Sequence, residues 1–176
     1  HRIGTSHRTY HLLTCNHRVN FSRKNSDLHE AQLNFCLLKP LGWKSTPTWE
    51  EVQGLLAFEA PRIEYKHKIK DSTTKRILLH TKSQGSAIEW PMDKYQELAE
   101  KCDKMGWEVC FTGTEGEGEQ IRKEIQFIDN MKDTTGLFSL EELMAFVSDS
   151  DVLVACSTGP LHIAGSLNVP AIGLYT

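Results

Sequence analysis

The chain has 176 residues, of which 39% are hydrophobic, and a formal net charge of -3 at pH 7. This is the composition of a globular protein, and the charge gives no general argument for nucleic-acid binding. No apolar run approaches the roughly 18 to 20 residues that a membrane-spanning helix needs, and no signal-peptide pattern occurs. The five cysteines are scattered without a CxxC pair, which argues against a zinc ribbon or a disulfide framework and favours a reducing cytosol.

The first 26 residues are basic, with five arginines and lysines, four histidines and no acidic residue. A solvated basic segment explains this pattern without any partner. Nucleic-acid binding would need aromatic residues between the basic ones, and only Tyr10 and Phe21 occur here. The segment therefore does not predict a nucleic-acid partner.

A helix is predicted after this segment. Asp27 is the expected N-cap and Glu30 its capping-box partner, and Lys39-Pro40-Leu41-Gly42 ends the helix. Residues 43–74 are polar and interrupted by prolines, with a short strand expected at residues 64–66, and we interpret them as a linker.

The composition changes near Asp71, where we place a domain boundary. Residues 1–70 are then the end of a first domain with a linker, and residues 71–176 form a second domain. We expect the chain to be a piece of a longer protein, because it starts without methionine and stops just after a predicted strand.

From Lys75 onward, apolar strands alternate with helices of about ten residues. The predicted strands are Ile77–His80, Trp107–Phe111, Val152–Ala155 and Ala171–Tyr175. The predicted helices are Pro91–Met105, Glu117–Phe127, Leu140–Val147 with Ser139 as its cap, and Leu161–Leu167. This alternation predicts an α/β fold with a parallel sheet that helices cover on both faces.

The turn Ser157-Thr158-Gly159-Pro160 joins the third of these strands directly to a helix. The N–H groups of a first helical turn have no partner within the helix, and the helix dipole favours negative charge there. Pro160 suits this position because it has no N–H group. The turn predicts a site for a diphosphate or a nucleotide, and helix capping by Ser and Thr alone is the equal alternative.

Three landmarks follow one another along the chain: His80…Gly85-Ser86…Trp90-Pro91, then Phe111-Thr112-Gly113 with acids after it, then Ser157-Thr158-Gly159-Pro160-Leu161-His162. This ordered set resembles the ADP-heptose:lipopolysaccharide heptosyltransferases, glycosyltransferase family 9, over about residues 75–176. Arg2-Ile3-Gly4 and residues 29–42 resemble the end of that family's first domain. The resemblance implies the GT-B architecture, in which two Rossmann-like domains face each other and the second holds most of the nucleotide sugar.

The resemblance also implies a reaction: inverting transfer of a heptose from an ADP-sugar donor to an anionic glycan or lipid-linked acceptor, with no cofactor and no metal. The family's catalytic base is an Asp in a glycine-rich loop, and no residue of this chain matches it. We therefore expect a donor-binding half that is inactive by itself, in the cytoplasm or peripheral to the inner membrane. A binding module without transfer chemistry, and another GT-B enzyme such as a UDP-sugar epimerase, are alternatives.

The resemblance assigns eight residues to the ADP-sugar donor. For the diphosphate they are Lys82, Ser83, Thr158 and Gly159; for the diphosphate or sugar, His162; for the ribose, Glu117; and for the adenine ring, Phe138. Ser157, in the same turn as Thr158, is assigned to the donor without a particular part of it. Each assignment has a purely structural alternative. Lys82 could be a solvated lysine, the turn at Ser157 to Pro160 a helix cap, and His162 a packing residue. Glu117 could be an acid that stabilises a helix N-terminus, and Phe138 a core aromatic.

Two positions depart from the family pattern. Ile88 stands where members commonly have Lys, two residues before the Trp-Pro pair, and Ser157 stands where many have Asp. Each change removes a charge-assisted contact of about 1.5–3 kcal/mol. We hypothesise that Lys82 replaces the missing cation, because it lies in the same loop.

Overall fold

The computed structural model describes residues 1–24, 26–55, 58–65, 73–85 and 87–175. The chain divides into two compact units, His1–Ala57 and Phe58–Thr176. The domain boundary predicted at Asp71 falls within residues 66–72, outside the described residues. The division at residues 70 and 71 therefore stays a prediction.

The first unit contains two short strands, which pair in parallel with Ile3 opposite His17. Its strands are β1 (Ile3–Thr5) and β2 (His17–Val19), and its α-helices are α1 (Thr9–Thr14), α2 (Glu30–Phe35) and α3 (Trp49–Leu55). A 3-10 helix, Cys36–Leu41, follows α2 directly.

The start of α2 corrects the sequence analysis, since the N-cap is His29 and not Asp27. Nδ1 of His29 accepts a hydrogen bond from the Ala31 N–H at 3.2 Å, and Oε1 of Gln32 accepts one from the His29 N–H at 3.0 Å. The imidazole nitrogen thus takes the role that a carboxylate or hydroxyl usually has in a capping box. The predicted end of the helical segment is confirmed by Gly42, which has a φ of +94°.

The segment interpreted as a linker is more ordered than its composition indicated. Helix α3 lies within it, and Thr48 and Glu51 form a reciprocal capping pair at its start. Glu64 and Tyr65, which the analysis placed in a short strand, are not in a strand, and Lys66 lies outside the described residues.

The second unit is an α/β domain, as predicted. Its strands are β3 (Arg76–His80), β4 (Glu108–Thr112), β5 (Met131–Asp133), β6 (Val152–Cys156) and β7 (Ala171–Leu174). They form one parallel sheet in the order β5-β4-β3-β6-β7. Its helices are α4 (Met92–Lys104), α5 (Glu115–Glu124), α6 (Leu140–Ser148) and α7 (Gly159–Ser166).

Both faces of this sheet are buried under helices. On one face Leu78 packs in a cluster with Phe146 of α6 and Ala164 of α7. On the other face Ile77 belongs to a cluster with Tyr95 of α4. Successive strand residues point to opposite faces, so burial on both sides explains why the strands are continuous apolar runs.

The strand order fixes where this fold can hold a ligand. From β3 the chain proceeds outward to β4 and β5, and then returns to the other side of β3 to form β6. The crevice outside the carboxyl ends of the strands, at this reversal of direction, is the usual ligand site of open α/β sheets. Here that point lies between His80 and Ala155, which are opposite each other in the ladder of β3 and β6.

Within the described residues, each helix is too short or too polar to cross a membrane.

Candidate functional site

A cavity of about 550 Å³ opens at the carboxyl edge of the sheet in the second unit. It is lined by the segments that follow four of the strands, which are loops or the first turns of helices: Lys82 and Ser83 after β3, Thr114 and Glu117 after β4, Gly136 and Phe138 after β5, and Thr158 and Gly159 after β6. Six of the eight residues predicted for the donor site are therefore brought to one cavity.

The turn between β6 and α7 has the geometry of an anion site. Thr158 is the N-cap of α7, with extended backbone angles, and its hydroxyl donates to the Cys156 carbonyl at 3.3 Å. None of the described residues accepts a hydrogen bond from the N–H group of Thr158 or Gly159. Because Pro160 has no N–H, these two groups are the backbone donors that this end of α7 offers.

Two of the predicted residues are elsewhere on this turn. Ser157 is partly buried and His162 is exposed in the first turn of α7. Neither is among the described residues that line the cavity. Their assignment to the donor site stays a prediction.

The loop after β3 is organised by an acid that the sequence analysis did not single out, Glu89. Its Oε1 accepts hydrogen bonds from the Ser83 N–H at 2.7 Å and the Ser83 hydroxyl at 3.2 Å. Its Oε2 lies 3.3 Å from Nζ of Lys82, whose side chain is only 13% exposed. Lys82 thus forms an ion pair with Glu89 at the cavity wall, so the alternative interpretation of Lys82 as a freely solvated lysine is wrong.

The balance of these contacts determines the ionisation of Glu89. Burial alone would raise the pKa of this carboxyl, but the hydrogen bonds from Ser83 and Lys82 outweigh burial and lower it. Glu89 is therefore a carboxylate at neutral pH.

Two other residues of this loop belong to the first landmark. Ile88, at the position where the family commonly has Lys, is 70% exposed. Ser86 of the Gly-Ser pair lies outside the described residues.

Glu117 is the N3 residue of a capping box. Its Oε2 accepts hydrogen bonds from the Thr114 N–H at 2.7 Å and the Thr114 hydroxyl at 3.0 Å. Stabilisation of the helix N-terminus was the structural alternative to ribose binding that we considered for Glu117. Glu117 also lines the cavity, and its Oε1 has no hydrogen bond to the residues that the structure describes. The same carboxylate can therefore hold the helix and accept from a ligand.

Phe138 is both a core residue and part of the cavity wall. Its ring lies 4.6 Å from that of Phe146, and it contacts Tyr65 edge-on at 5.9 Å, centroid to centroid. Leu140 and Leu143 extend the apolar wall beside it. The cavity thus has an apolar wall suited to a flat group, and it is also lined by Thr158 and Gly159 at the start of α7.

His80 lines the cavity but was not predicted as a site residue, although it ends a predicted strand and begins the first of the three landmarks. Its Nδ1 lies 3.1 Å from Oγ1 of Thr112, and the residue is 9% exposed. Burial lowers the pKa of His80, and the charge of Glu117 opposes this shift only in part. The signal that could have found it is a polar residue at the carboxyl end of the central strand.

The loop after β5 is fixed by Arg122, outside the predicted set. The guanidinium forms ion pairs with Glu115 at 2.5 Å and Asp133 at 2.6 Å. Gly136, with a φ of +71°, donates from its N–H to the Gly113 carbonyl at 2.9 Å. These contacts connect the loops after β4 and β5, which form one wall of the cavity.

In the described part of the chain, no group of three or more His, Cys, Asp or Glu residues is arranged to hold a metal ion. The polar groups that the described residues bring to the cavity include amides, hydroxyls, the imidazole of His80, the ammonium of Lys82 and the carboxylate of Glu117.

A parallel sheet of this order, with its cavity at the carboxyl edge, is a Rossmann-like domain, the kind of domain that GT-B glycosyltransferases contain. The chain belongs to glycosyltransferase family 9 (heptosyltransferase), whose sequence profile matches residues 1–176. The family resemblance drawn from the motifs is therefore confirmed.

Individual relatives agree with this assignment. The lipopolysaccharide core heptosyltransferase OpsX of Haemophilus influenzae is 27% identical over 135 residues, which are 75% of this chain and 38% of OpsX. The lipooligosaccharide heptosyltransferase 2 of the same organism is 31% identical over 99 residues, 52% of this chain and 28% of that protein. The chain spans between 28% and 49% of the length of the curated relatives it matches.

A solved structure shows the same fold. The glycosyltransferase family 9 protein of Veillonella parvula matches with a TM-score of 0.67 at 21% identity, over 98% of this chain and 50% of that one.

Proposed function

We propose that the unit Phe58–Thr176 binds the ADP part of a nucleotide-sugar donor in the cavity at the carboxyl edge of its sheet. The whole protein would transfer a heptose from that donor to a lipopolysaccharide core acceptor. The observation that carries this proposal is the pair of N–H groups on Thr158 and Gly159, at the N-terminus of a helix that borders the cavity, for which no described residue is an acceptor.

The cavity offers a partner for each part of ADP. The amides of Thr158 and Gly159 would bind the diphosphate, with Lys82 as the cation at the same wall. The carboxylate of Glu117 would accept hydrogen bonds from the ribose hydroxyls. The apolar wall around Phe138 would take the adenine ring. Ser157 and His162 would contact the donor from the outer side of the turn, nearer the sugar.

The chemistry that this unit would supply is stabilisation of the leaving group. Negative charge develops on the diphosphate as the sugar is transferred, and fixed amide dipoles at a helix N-terminus stabilise such charge without reorganising. No residue of the chain matches the Asp that the family resemblance implies as general base. We therefore propose that the 176-residue chain binds the donor but does not transfer the sugar by itself.

The acceptor is the second partner in this proposal. Residues 1–26 carry five arginines and lysines and no acid, which suits an acceptor bearing phosphates and carboxylates. We place this segment on the acceptor side, and the reaction at the cytoplasmic face of the inner membrane. Support for the donor comes from Escherichia coli WaaC, a heptosyltransferase solved with ADP and with ADP-2-deoxy-2-fluoro heptose.

Isothermal titration calorimetry of the chain with ADP, UDP and ADP-heptose tests the proposal. We expect ADP to bind at least tenfold more tightly than UDP, and ADP-heptose to bind at least as tightly as ADP. Titrations in EDTA should give the same affinities, because the proposed contacts need no metal. Tighter binding of UDP, or no binding of any of the three, would contradict the proposal.

A further inference from the structure

The carboxylate of Glu89 accepts hydrogen bonds from groups of the kind that usually bind a phosphate. It bridges the N–H of Ser83, at 2.7 Å, and the ammonium of Lys82, at 3.3 Å, and it also accepts from the Ser83 hydroxyl at 3.2 Å. A backbone N–H, a hydroxyl and a lysine in the loop after a β-strand are a typical phosphate-binding set. The protein's own carboxylate therefore stands where an anionic ligand would bind.

This arrangement leaves the cavity with little positive charge. Lys82 is the one Lys or Arg among the described residues that line the cavity. Its charge is offset by its ion pair with Glu89, and the cavity wall itself contains the carboxylate of Glu117. The backbone N–H groups of Thr158 and Gly159 would have to bind a diphosphate against the negative charge of Glu89 and Glu117.

We infer that Glu89 is an intramolecular competitor of the bound diphosphate, and that it sets the affinity of the cavity for anionic ligands. The inference rests on the proposed function, because it concerns the same site. Glu89 can give way to a ligand, since its side chain is 33% exposed and its hydrogen bonds to described residues all go to Lys82 and Ser83 of the same loop. Specificity for the donor would then arise partly from a repulsive element, which a ligand must displace.

A different role for Glu89 predicts the opposite result. If the carboxylate only positioned Lys82 for the ligand, its removal would weaken binding. If it competes, removal of its charge frees Lys82 and the Ser83 N–H, and binding becomes tighter. The two roles therefore differ in the sign of one measured change.

The test compares Glu89→Gln with Glu97→Gln in the 176-residue chain. Glu97 is an exposed acid of α4 that pairs with Lys94 at 2.8 Å, and it does not line the cavity, so its variant has the same change in net charge. Glu89→Ala is a second variant, in case the glutamine amide still occupies the Ser83 N–H. Inorganic pyrophosphate and ADP are titrated into each protein by calorimetry, and circular dichroism checks that each is folded.

We expect Glu89→Gln to bind pyrophosphate and ADP about three- to tenfold more tightly than the unmodified chain, the range of a part-exposed charge pair. Glu97→Gln should stay within twofold. Equal or weaker pyrophosphate binding by both Glu89 variants would overturn the inference, as would failure of every protein to bind pyrophosphate. If pyrophosphate binding is strengthened but ADP does not bind, the inference stands and the proposed donor is wrong.

Discussion

Gly118 of α5 lies so close to Thr135 that a Cβ atom on the glycine would be 2.0 Å from Oγ1 of Thr135. This close approach lets α5 rest on the loop after β5, which forms part of the cavity wall. We predict that Gly118→Ala lowers the free energy of unfolding by about 1–3 kcal/mol, because the methyl group overpacks this contact.

Gly116, in the same helix, is the matched control, since a Cβ there would meet no atom within 4 Å. Gly116→Ala should be neutral or stabilise the protein by up to about 1 kcal/mol, through helix propensity. Urea denaturation of the two variants measures both values. Equal stability of the two variants would contradict this account of the packing.

A side chain at Gly159 should block the cavity without harming the fold. Gly159 lines the cavity, and an added Cβ would meet nothing within 4 Å. We predict that Gly159→Leu lowers ADP affinity at least tenfold, because the side chain obstructs access to the amides of α7. Gly165 lies one residue before the end of the same helix and is equally open, and it supplies the control variant Gly165→Leu, which should bind ADP like the unmodified chain. Equal ADP affinities in calorimetry would argue against ligand binding at this end of α7.

The buried pair Arg76 and Glu108 should respond asymmetrically to mutation. The Arg76 side chain is fully buried with its Nε 2.5 Å from Oε2 of Glu108, while Glu108 also pairs with Lys132 at 2.8 Å. The terminal nitrogens of Arg76 have no hydrogen bond to the described residues. Removal of the Glu108 carboxylate therefore leaves the buried guanidinium of Arg76 without this acidic partner, whereas removal of Arg76 leaves Glu108 paired with Lys132.

We predict that Glu108→Gln lowers the free energy of unfolding by about 3 kcal/mol and that Arg76→Met lowers it by less. Chemical denaturation at pH 7 gives both numbers. The reverse order of stabilities would show that Arg76, through its packing on Phe146 at 4.8 Å, matters more than its charge partner.

His80 should make the protein sensitive to mild acid. Its pKa is lowered in the folded state, chiefly by burial, so the unfolded chain binds a proton more readily. Stability from this group is present above its ordinary pKa of about 6.5 and is lost as the pH falls through that value toward the folded pKa. We predict that the difference in unfolding free energy between the unmodified chain and His80→Asn shrinks from pH 8 to pH 5. A difference that stays constant over this range, measured by urea denaturation, would contradict the prediction.

The long, strongly patterned elements of the second unit could be predicted from sequence. Helix α6 is an example, because Ser139 is its N-cap as predicted, with Glu142 as its partner in a capping box. Strand β5 could not, since Met131–Asp133 is too short for an apolar alternation to appear, and only its pairing with β4 makes it a strand. The cap at His29 was missed because an imidazole is an unusual acceptor for a helix N-terminus.

The residues of the candidate site also differ in whether the sequence could predict them. Thr158 and Gly159 could be predicted, because a strand, a tight turn and a helix follow one another directly in sequence. Glu89 could not, since its role depends on which atoms the loop brings together, whereas the position of His80 at the carboxyl end of the central strand was a signal that the prediction did not use. The distance from Glu89 to Ser83 is set by the path of the loop and not by any local pattern.

The most direct test of the central claim is a titration of the ¹⁵N-labelled chain with ADP, followed through the amide resonances of Thr158 and Gly159. We predict that these two amides, with those of the loop from Lys82 to Gly85, show the largest chemical-shift changes and saturate at one common affinity. Shifts confined to other parts of the chain, with both amides unchanged at saturating ADP, would contradict the claim that the N-terminus of α7 binds the diphosphate.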